Sequence, residues 1–198
     1  MDIFQSTRNT RPILDHSIKY IRSDVPTSIS ECEISWMLSN HVTTIVDLRT
    51  DEERVRKQCP LMNDVRFQYH IYAIRGGDRV PHHENDVADS YIGMVDAAFD
   101  ELIAFLLTIP SGVLFFCNAG KDRTGVVAAA LLYKLGMCHD YIVDDYMKSK
   151  VNLEPVLHEY AKQNPAIDIH VITPQKRYIE GFLNWYRDRE MQKSQASK

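Results

Sequence analysis

The sequence lacks several features that mark specialised classes of protein. No stretch reaches the roughly 18 consecutive apolar residues that a membrane-spanning helix needs, and residues 1–12 contain no apolar run of the signal-peptide type. Glycine and proline are sparse, with eight of each among 198 residues, and no repeat or low-complexity stretch divides the chain. We therefore expect a single cytoplasmic domain over residues 1–198 without stable membrane insertion. Its core should cover about 17–190, with a disordered tail at 191–198.

The sequence also has few cysteines and no excess of positive charge. The four cysteines are too few and too scattered for a disulfide framework in a chain of this length, which indicates free thiols. Lysine and arginine number 23 against 27 aspartates and glutamates, a formal net charge of −4. This balance argues against duplex nucleic acid or an anionic membrane as the main partner, although a local basic site is compatible with it.

Strand and helix signals alternate along the chain and predict an α/β fold. Strands are expected at 17–22, 43–49, 67–74 and 113–116, and a long helix over about 86–109 joins the last two in a parallel βαβ arrangement. Further helices are expected at about 31–38, 51–58, 123–135, 139–149, 152–163 and 174–189. The predicted fold is a single α/β domain with a central, mostly parallel sheet flanked by helices.

The segment from Cys117 to Gly125 lies between a buried strand and a buried helix. A tight turn in this position aims backbone N–H groups and the positive end of the helix at one point, which suits a tetrahedral anion. These donors and the guanidinium of Arg123 favour the thiolate form of Cys117 over the thiol. We therefore predict Cys117 as a nucleophile and Arg123 as a bidentate phosphate clamp. The backbone that cradles the phosphate comes from Asn118, Ala119, Gly120, Lys121 and Asp122.

Other residues of this phosphate loop, defined here as residues 117–124, have two interpretations each. Thr124 could donate its hydroxyl to the departing sulfur, or simply occupy the first helical turn. Lys121 could attract a substrate with extra phosphates, or be solvated, and Asp122 could brace the loop or Lys121. A nucleotide triphosphate loop of the Walker A type is excluded, because position 115 is not glycine and Asp122 replaces its Ser/Thr.

Four segments together resemble the protein-tyrosine phosphatase superfamily, and closely its bacterial and fungal branch of short tyrosine phosphatases. They are Tyr20-Ile21-Arg22-Ser23, Asp47-Leu48-Arg49, the phosphate loop with Gly125, and Asp145-Tyr146-Met147-Lys148-Ser149. The resemblance implies a protein-tyrosine phosphatase-like fold and hydrolysis of phosphotyrosine through a phosphocysteine, without metal or other cofactor. Some members also accept phosphoserine or phosphoinositides.

The sequence departs from this family at two places. Phe116 stands where the family has a histidine before the cysteine, which implies a weaker activity or an altered loop. The segment from Thr7 to Pro12 also lacks the Asn-x-Arg-Asp-x-Gly-Gly pattern of relatives, so we expect a contact to the phosphate loop to be lost.

The implied mechanism needs a general acid for the leaving group, a role worth about 10² to 10⁴ in rate. Relatives place an aspartate after the strand that corresponds to 67–74, which favours Asp78, next to Gly76 and Gly77. Asp86 and Asp89 are alternatives, but each could instead charge the start of a helix.

Several other polar residues receive mainly structural interpretations. Asp47 and Arg49 could face the active site, but a structural pair at the strand tip is favoured. His82, His83, Glu84 and Asp86 are expected to meet solvent rather than hold a metal. The core is expected to contain Cys32, Cys59 and Cys138.

The sequence thus predicts a cysteine-dependent phosphatase whose partner is a phosphorylated protein. One alternative is a phosphoinositide phosphatase that uses Lys121. A second is a phosphate-binding module that lost turnover when Phe116 replaced histidine, and a third is a rhodanese-like sulfur carrier, which the phosphate loop fits less well.

Overall fold

A computed structural model describes residues 4–77 and 79–196, and its centre is one five-stranded sheet. The strand order is β1-β2-β5-β3-β4; β1 and β2 are antiparallel, and all other neighbours are parallel. The strands are β1 (Arg11–Leu14), β2 (Ser17–Asp24), β3 (Val42–Asp47), β4 (Gln68–Ile71) and β5 (Gly112–Cys117). The predicted α/β fold with a mostly parallel sheet is confirmed.

Helices cover both faces of this sheet. They are α1 (Glu31–Ser39), α2 (Asp51–Arg56), α3 (Val87–Ile92), α4 (Ala97–Thr108), α5 (Arg123–Lys134), α6 (His139–Gln163), α7 (Ile169–Ile172) and α8 (Lys176–Ala196). Short 3₁₀ turns occur at Pro60–Asn63 and Glu84–Asp86. None of the helices in the described ranges is long and apolar enough to cross a bilayer.

The central strand β5 contributes to a core on each face. Val113, Phe115 and Cys117 belong to the larger core, with α3, α4, α5, α6 and α8, whereas Leu114 and Phe116 pack with α1 on the other face. This alternation follows from the two-residue period of a strand. Residues 123–132 of α5 are all buried, so the start of this helix is held firmly behind the end of β5.

Two parts of the helix prediction differ from the structure. The predicted helix over 86–109 is two helices, because Asp96 forms a new N-cap and accepts a hydrogen bond from the Phe99 amide at 2.9 Å. The predicted helices at 139–149 and 152–163 are one helix, α6, with Pro155 inside it. Leu153 and Leu157 are buried on either side of this proline, and their packing offsets the missing hydrogen bond.

The ends of the chain also differ from expectation. Of the expected tail at 191–198, residues 191–196 continue α8, where Lys193 donates to Asp100 at 2.7 Å, and residues 197 and 198 lie outside the described residues. Near the other end, Arg11–Leu14 forms β1, which the sequence did not reveal. Pro12 weakens a strand signal, but it is tolerated here because β1 lies at the sheet edge.

Two of the three cysteines assigned to the core lie at the surface. Cys32 is exposed in the first turn of α1, and Cys138 is exposed at the N-cap of α6, whereas Cys59 is buried as expected. A small apolar residue near a helix start can face either way, and here the neighbouring Glu33 and Ile34 take the buried face of α1.

Candidate active site

The phosphate loop begins at the last residue of β5 and ends in the first turn of α5. Cys117 is 3% exposed, and the backbone turns through residues 118–122 before Arg123 begins the helix. The predicted arrangement of strand, turn and helix is therefore present at this point in the fold.

The backbone carbonyl groups and the backbone N–H groups of the loop are used differently. Its carbonyls point toward buried donors: Asn118 O accepts from the Val25 amide at 3.4 Å, and Gly120 O accepts from Arg22 Nη2 at 2.8 Å. Across the described residues, none of the backbone N–H groups of residues 118–122 has a hydrogen-bond acceptor. Because N–H and C=O of a trans peptide point in opposite directions, these amides face away from the buried donors.

Gly120 allows this close approach of the loop to the sheet. Its φ is +65°, and an added Cβ would lie 2.4 Å from the Ser23 carbonyl oxygen of β2. Any other residue at this position would push the loop off the end of the strand, so the glycine is required by geometry.

Buried charges beneath the loop fix its position. Asp145 of α6 forms ion pairs with Arg22 Nη1 at 2.5 Å and with Arg11 Nε at 2.9 Å. Burial raises the pKa of Asp145, but the charges of Arg22 and Arg11 outweigh this effect, so the net pKa is below its ordinary value. A carboxylate that is ionised at neutral pH therefore anchors the arginine that holds the Gly120 carbonyl.

The N-terminal segment retains the contact that we expected to be lost, so that prediction was wrong. Asn9 Nδ2 donates to the Gly120 carbonyl at 2.8 Å and to Ser149 Oγ at 3.2 Å. Arg11 Nη2 donates to the Asp145 carbonyl at 2.7 Å. Asn9 and Arg11 have the Asn-x-Arg spacing of the family pattern, and only the residues that follow depart from it.

Glu53 is the site residue that the sequence analysis missed. Its two carboxylate oxygens accept from Arg123 Nη1 and Nη2, each at 2.6 Å, and Oε1 also accepts from Asn118 Nδ2 at 2.6 Å. Glu53 is held in turn by a capping box with Thr50 at the start of α2. Thr50 and Glu53 have the sequence spacing of a capping box directly after a strand tip, which is the signal that could have found them.

This ion pair defines the charge states of both partners. Burial raises the pKa of Glu53, but the hydrogen bonds from Arg123 and the Thr50 amide outweigh it and lower the pKa below its ordinary value. For Arg123, burial opposes the charged form, whereas the Glu53 hydrogen bonds and the nearby Cys117 raise the pKa above its ordinary value. Both groups therefore remain charged at neutral pH.

Two donors of the loop remain unused in the described structure. Arg123 Nε and Thr124 Oγ1 are buried and have no hydrogen-bond partner among the described residues. With both terminal guanidinium nitrogens bound to Glu53, Nε is the guanidinium nitrogen without a partner, whereas the predicted bidentate clamp requires two. A buried donor without a partner costs about 1–3 kcal/mol, which a bound ligand can relieve.

Lys121 and Asp122 pair with each other rather than with solvent. Lys121 Nζ lies 2.9 Å from Asp122 Oδ1, which also accepts from the buried Tyr91 hydroxyl at 2.6 Å. Tyr91 contacts Tyr146 of α6, with 2.8 Å between the hydroxyl oxygens. Of the two sequence interpretations for Asp122, bracing of Lys121 is the one that the structure shows.

A cavity of about 330 Å³ opens above the loop. Its lining includes Cys117, Arg123 and Lys121 of the loop. The lining also contains a mainly apolar set from other segments, called here the apolar wall: Val80, Val156, Leu157, Tyr160 and Ile172.

The three general-acid candidates are placed differently. Asp86 and Asp89 are exposed and do not line the cavity. Asp78 lies outside the described residues, but Gly77 and Val80 line the cavity. A Cβ on Gly77 would lie 3.1 Å from Arg123 Cγ, so this part of the chain passes directly over the arginine.

Asp47 and Arg49 form the structural pair that the sequence favoured. Arg49 Nε and Nη2 donate to the Asp47 carboxylate at 2.9 and 2.7 Å, and both side chains are fully buried. The Arg49 guanidinium also lies 5.3 Å from the ring centroid of Phe116. The residue that replaces the family histidine is therefore packed under a cation on the sheet face opposite Cys117.

The histidine-rich segment makes local contacts. His83 Nδ1 accepts from the Asn85 amide at 3.1 Å, and Glu84 pairs with Arg177 of α8. Within residues 4–77 and 79–196, no three His, Cys, Asp or Glu side chains are grouped to hold a metal.

Comparisons with known proteins find the same fold and related sequences. The fold resembles that of the human tyrosine phosphatase-like serine/threonine/tyrosine-interacting protein, with a TM-score of 0.52 and 15% identity over 93% of this chain and 97% of the human one. A tyrosine-protein phosphatase of Nostoc commune is 30% identical over 119 residues, which cover 55% of this chain and 40% of the relative.

A shorter stretch matches the triple specificity protein phosphatase PtpB of Mycobacterium tuberculosis, with 47% identity over 47 residues, or 24% of this chain and 17% of PtpB. The matched regions thus span less than half the length of either curated relative. The profile of the tyrosine phosphatase family matches residues 7–190, and the chain therefore belongs to this family.

Proposed function

We propose that this chain is a cysteine-dependent phosphatase that hydrolyses phosphotyrosine through a phosphocysteine intermediate. The observation that carries the proposal is the loop itself. Cys117 shares one cavity with Arg123, whose Nε lacks a partner, and the backbone N–H groups of residues 118–122 have no acceptor in the described structure. Such a set of donors around a sulfur nucleophile suits a phosphoryl group and its transition state.

In this mechanism the Cys117 sulfur attacks phosphorus in line with the leaving oxygen. The P–O bond breaks as the S–P bond forms, and negative charge spreads over three equatorial oxygens. The free amides and Arg123 Nε would hold these oxygens. Because the loop is fixed before substrate binds, little reorganisation is needed as charge develops.

Glu53 and Thr124 would support the two halves of the reaction. Glu53 holds Arg123 in one orientation, so the guanidinium does not need to be ordered by the substrate. In the second half, water attacks the phosphocysteine and sulfur leaves as a thiolate. The buried Thr124 hydroxyl, which has no partner among the described residues, is the group we assign to stabilise that leaving sulfur.

Asp78 is our proposed general acid. It would protonate the leaving phenolate and later accept a proton from the attacking water. The support is the position of its neighbours Gly77 and Val80 on the cavity wall, whereas Asp86 and Asp89 are exposed outside the cavity.

The apolar cavity wall favours an aryl phosphate over an inositol phosphate. Leu157 and Ile172 are buried in one apolar cluster, and Tyr160, which also lines the cavity, has 43% of its surface exposed. A phenyl ring can pack against this wall, whereas the hydroxyls of inositol would find few partners there.

The phosphoinositide alternative is supported by Lys121, which lines the cavity. Its charge is already matched by Asp122, however, so less of it is available to a second phosphate. We therefore place phosphotyrosine first and a phosphoinositide second.

Replacement of the nucleophile tests the reaction class. We expect Cys117→Ser to lower kcat for an aryl phosphate by about 10⁴-fold or more, because the hydroxyl is a far weaker nucleophile in this site. The wild type should work in the presence of EDTA and be inhibited by orthovanadate. Cys32→Ser, at an exposed thiol outside the cavity, is the matched control. A Cys117→Ser protein with the wild-type rate, or complete inhibition by EDTA, would refute the proposal.

The general acid is identified by comparing leaving groups. Asp78→Asn should lower kcat for phenyl phosphate by about 10² to 10⁴, and much less for an activated nitrophenyl phosphate whose leaving group needs little protonation. Asp86→Asn and Asp89→Asn serve as charge-matched controls. If Asp78→Asn behaves like both controls with both substrates, Asp78 does not have this role.

The substrate class is tested at Tyr160. Tyr160→Ala should lower kcat/KM for a phosphotyrosine peptide by about 3- to 10-fold, since one aromatic contact is lost, while Tyr160→Phe retains it. Hydrolysis of an inositol lipid phosphate by the same variants should change little. Faster wild-type hydrolysis of the inositol lipid than of the peptide would instead support the second candidate.

A further inference from the structure

We propose that a second pocket, beside the catalytic cavity, binds an acidic side chain of the substrate polypeptide close to its phosphotyrosine. This flanking pocket has a volume of about 520 Å³ and is lined by Thr50, Glu52, Glu53, Arg56, Lys57 and Asn118. The inference rests on the proposed function, because it assigns the substrate class of the same site.

The flanking pocket is continuous with the catalytic cavity. Glu53 and Asn118 line both, and the hydrogen bond between them, at 2.6 Å, forms the wall that the two share. Asn118 directly follows the proposed nucleophile Cys117. When phosphotyrosine occupies the catalytic cavity, the residues next to it in the substrate must therefore lie over this pocket or close to it.

The cations of the flanking pocket form no direct ion pair among the described residues. Arg56 and Lys57 are exposed, and among the described residues no carboxylate lies within 4.0 Å of either side-chain nitrogen group. Arg56 Nε donates to the Glu52 carbonyl at 3.2 Å, which uses only one of its five donors. By contrast, Arg66, which is also partly exposed, is paired with both Glu31 and Asp64.

The acidic residues around the pocket leave both cations accessible to a further carboxylate. Glu53 is paired with Arg123, and Glu52 is the one lining carboxylate without an ion pair in the described structure. Glu52 interacts electrostatically with Arg56, and Asp24, outside the lining, interacts with Lys57, but neither carboxylate forms a direct ion pair with these cations. Because phosphotyrosine occupies the neighbouring cavity, a carboxylate here gains attraction from Arg56 and Lys57 without competing for Arg123.

The spacing of a polypeptide fits this arrangement. Residues of an extended chain advance by about 3.3–3.6 Å each, so side chains one or two positions from phosphotyrosine lie within reach of an adjoining pocket. Exposed ion pairs are weak individually, and two of them together would change a substrate preference by about 3- to 10-fold.

The test compares phosphotyrosine peptides that differ only in the residues flanking phosphotyrosine, which are Glu, Gln or Lys. The measured quantity is the ratio of kcat/KM for the Glu peptide to that for the Gln peptide, which cancels general effects on catalysis. We expect a ratio of about 3 to 10 in the wild type, falling toward 1 as ionic strength rises. In Arg56→Glu/Lys57→Glu the preference should reverse toward the Lys peptide.

Lys148→Glu/Lys150→Glu is the matched control, because it changes charge equally at exposed positions of α6 that line neither pocket. Its Glu-to-Gln ratio should equal that of the wild type. A wild-type ratio near 1, or an equal loss in both double variants, would overturn the inference while leaving the phosphatase proposal intact.

Failure of the proposed function gives a different result, namely no hydrolysis of any peptide. In that case the same Glu and Gln peptides are compared by their affinity for the Cys117→Ser protein. Equal affinities would overturn the flanking pocket independently of catalysis.

Discussion

The carboxylate of Asp145 is enclosed within the protein between the guanidinium groups of Arg11 and Arg22. This interaction links three parts of the chain, namely the edge strand β1, the strand β2 and the helix α6. A buried ion pair is costly to form and costlier to break, since removal of one partner leaves an uncompensated charge. Arg22 reaches from this pair to the Gly120 carbonyl, so the position of the phosphate loop depends on it.

This anchor accounts for the different roles of the carbonyl and N–H groups in the phosphate loop. Its carbonyls are bound from the buried side by Arg22, Asn9 and the Val25 amide, and its N–H groups have no acceptor among the described residues. On the cavity side, Glu53 fixes the two terminal nitrogens of Arg123. The proposed anion site is therefore held in place by the protein's own contacts, which also explains how Phe116 can be accommodated. The loop is held by buried arginine and asparagine side chains, and the side chain at position 116 packs on the opposite face of the sheet.

The sequence predictions that agree with the structure came from patterns of neighbouring residues. The apolar run before Cys117, the following glycine and the buried helix beyond Arg123 specify strand, turn and helix from neighbouring residues alone. Glu53 was missed because it meets Arg123 across 70 positions of chain, and a local pattern contains no information about that pairing. Asn9 was missed for the same reason, at a separation of 111 positions from Gly120. The sequence prediction divided α6 between residues 149 and 152, whereas the helix continues there and also through Pro155, where Leu153 and Leu157 are buried.

The central claim is that buried charge pairing at Asp145 holds the loop in its anion-binding shape, and urea unfolding with and without orthovanadate tests it most directly. Because the pKa of Asp145 lies below its ordinary value, its stabilisation is present above about pH 4 and is lost as pH falls through the folded-state pKa. At pH 7, Asp145→Asn should lose about 3–5 kcal/mol of unfolding free energy. The stability gained on adding vanadate should also shrink. The exposed neighbour variant Asp144→Asn should stay within about 0.5 kcal/mol of the wild type. Equal stability and equal vanadate response in the two variants would contradict the account.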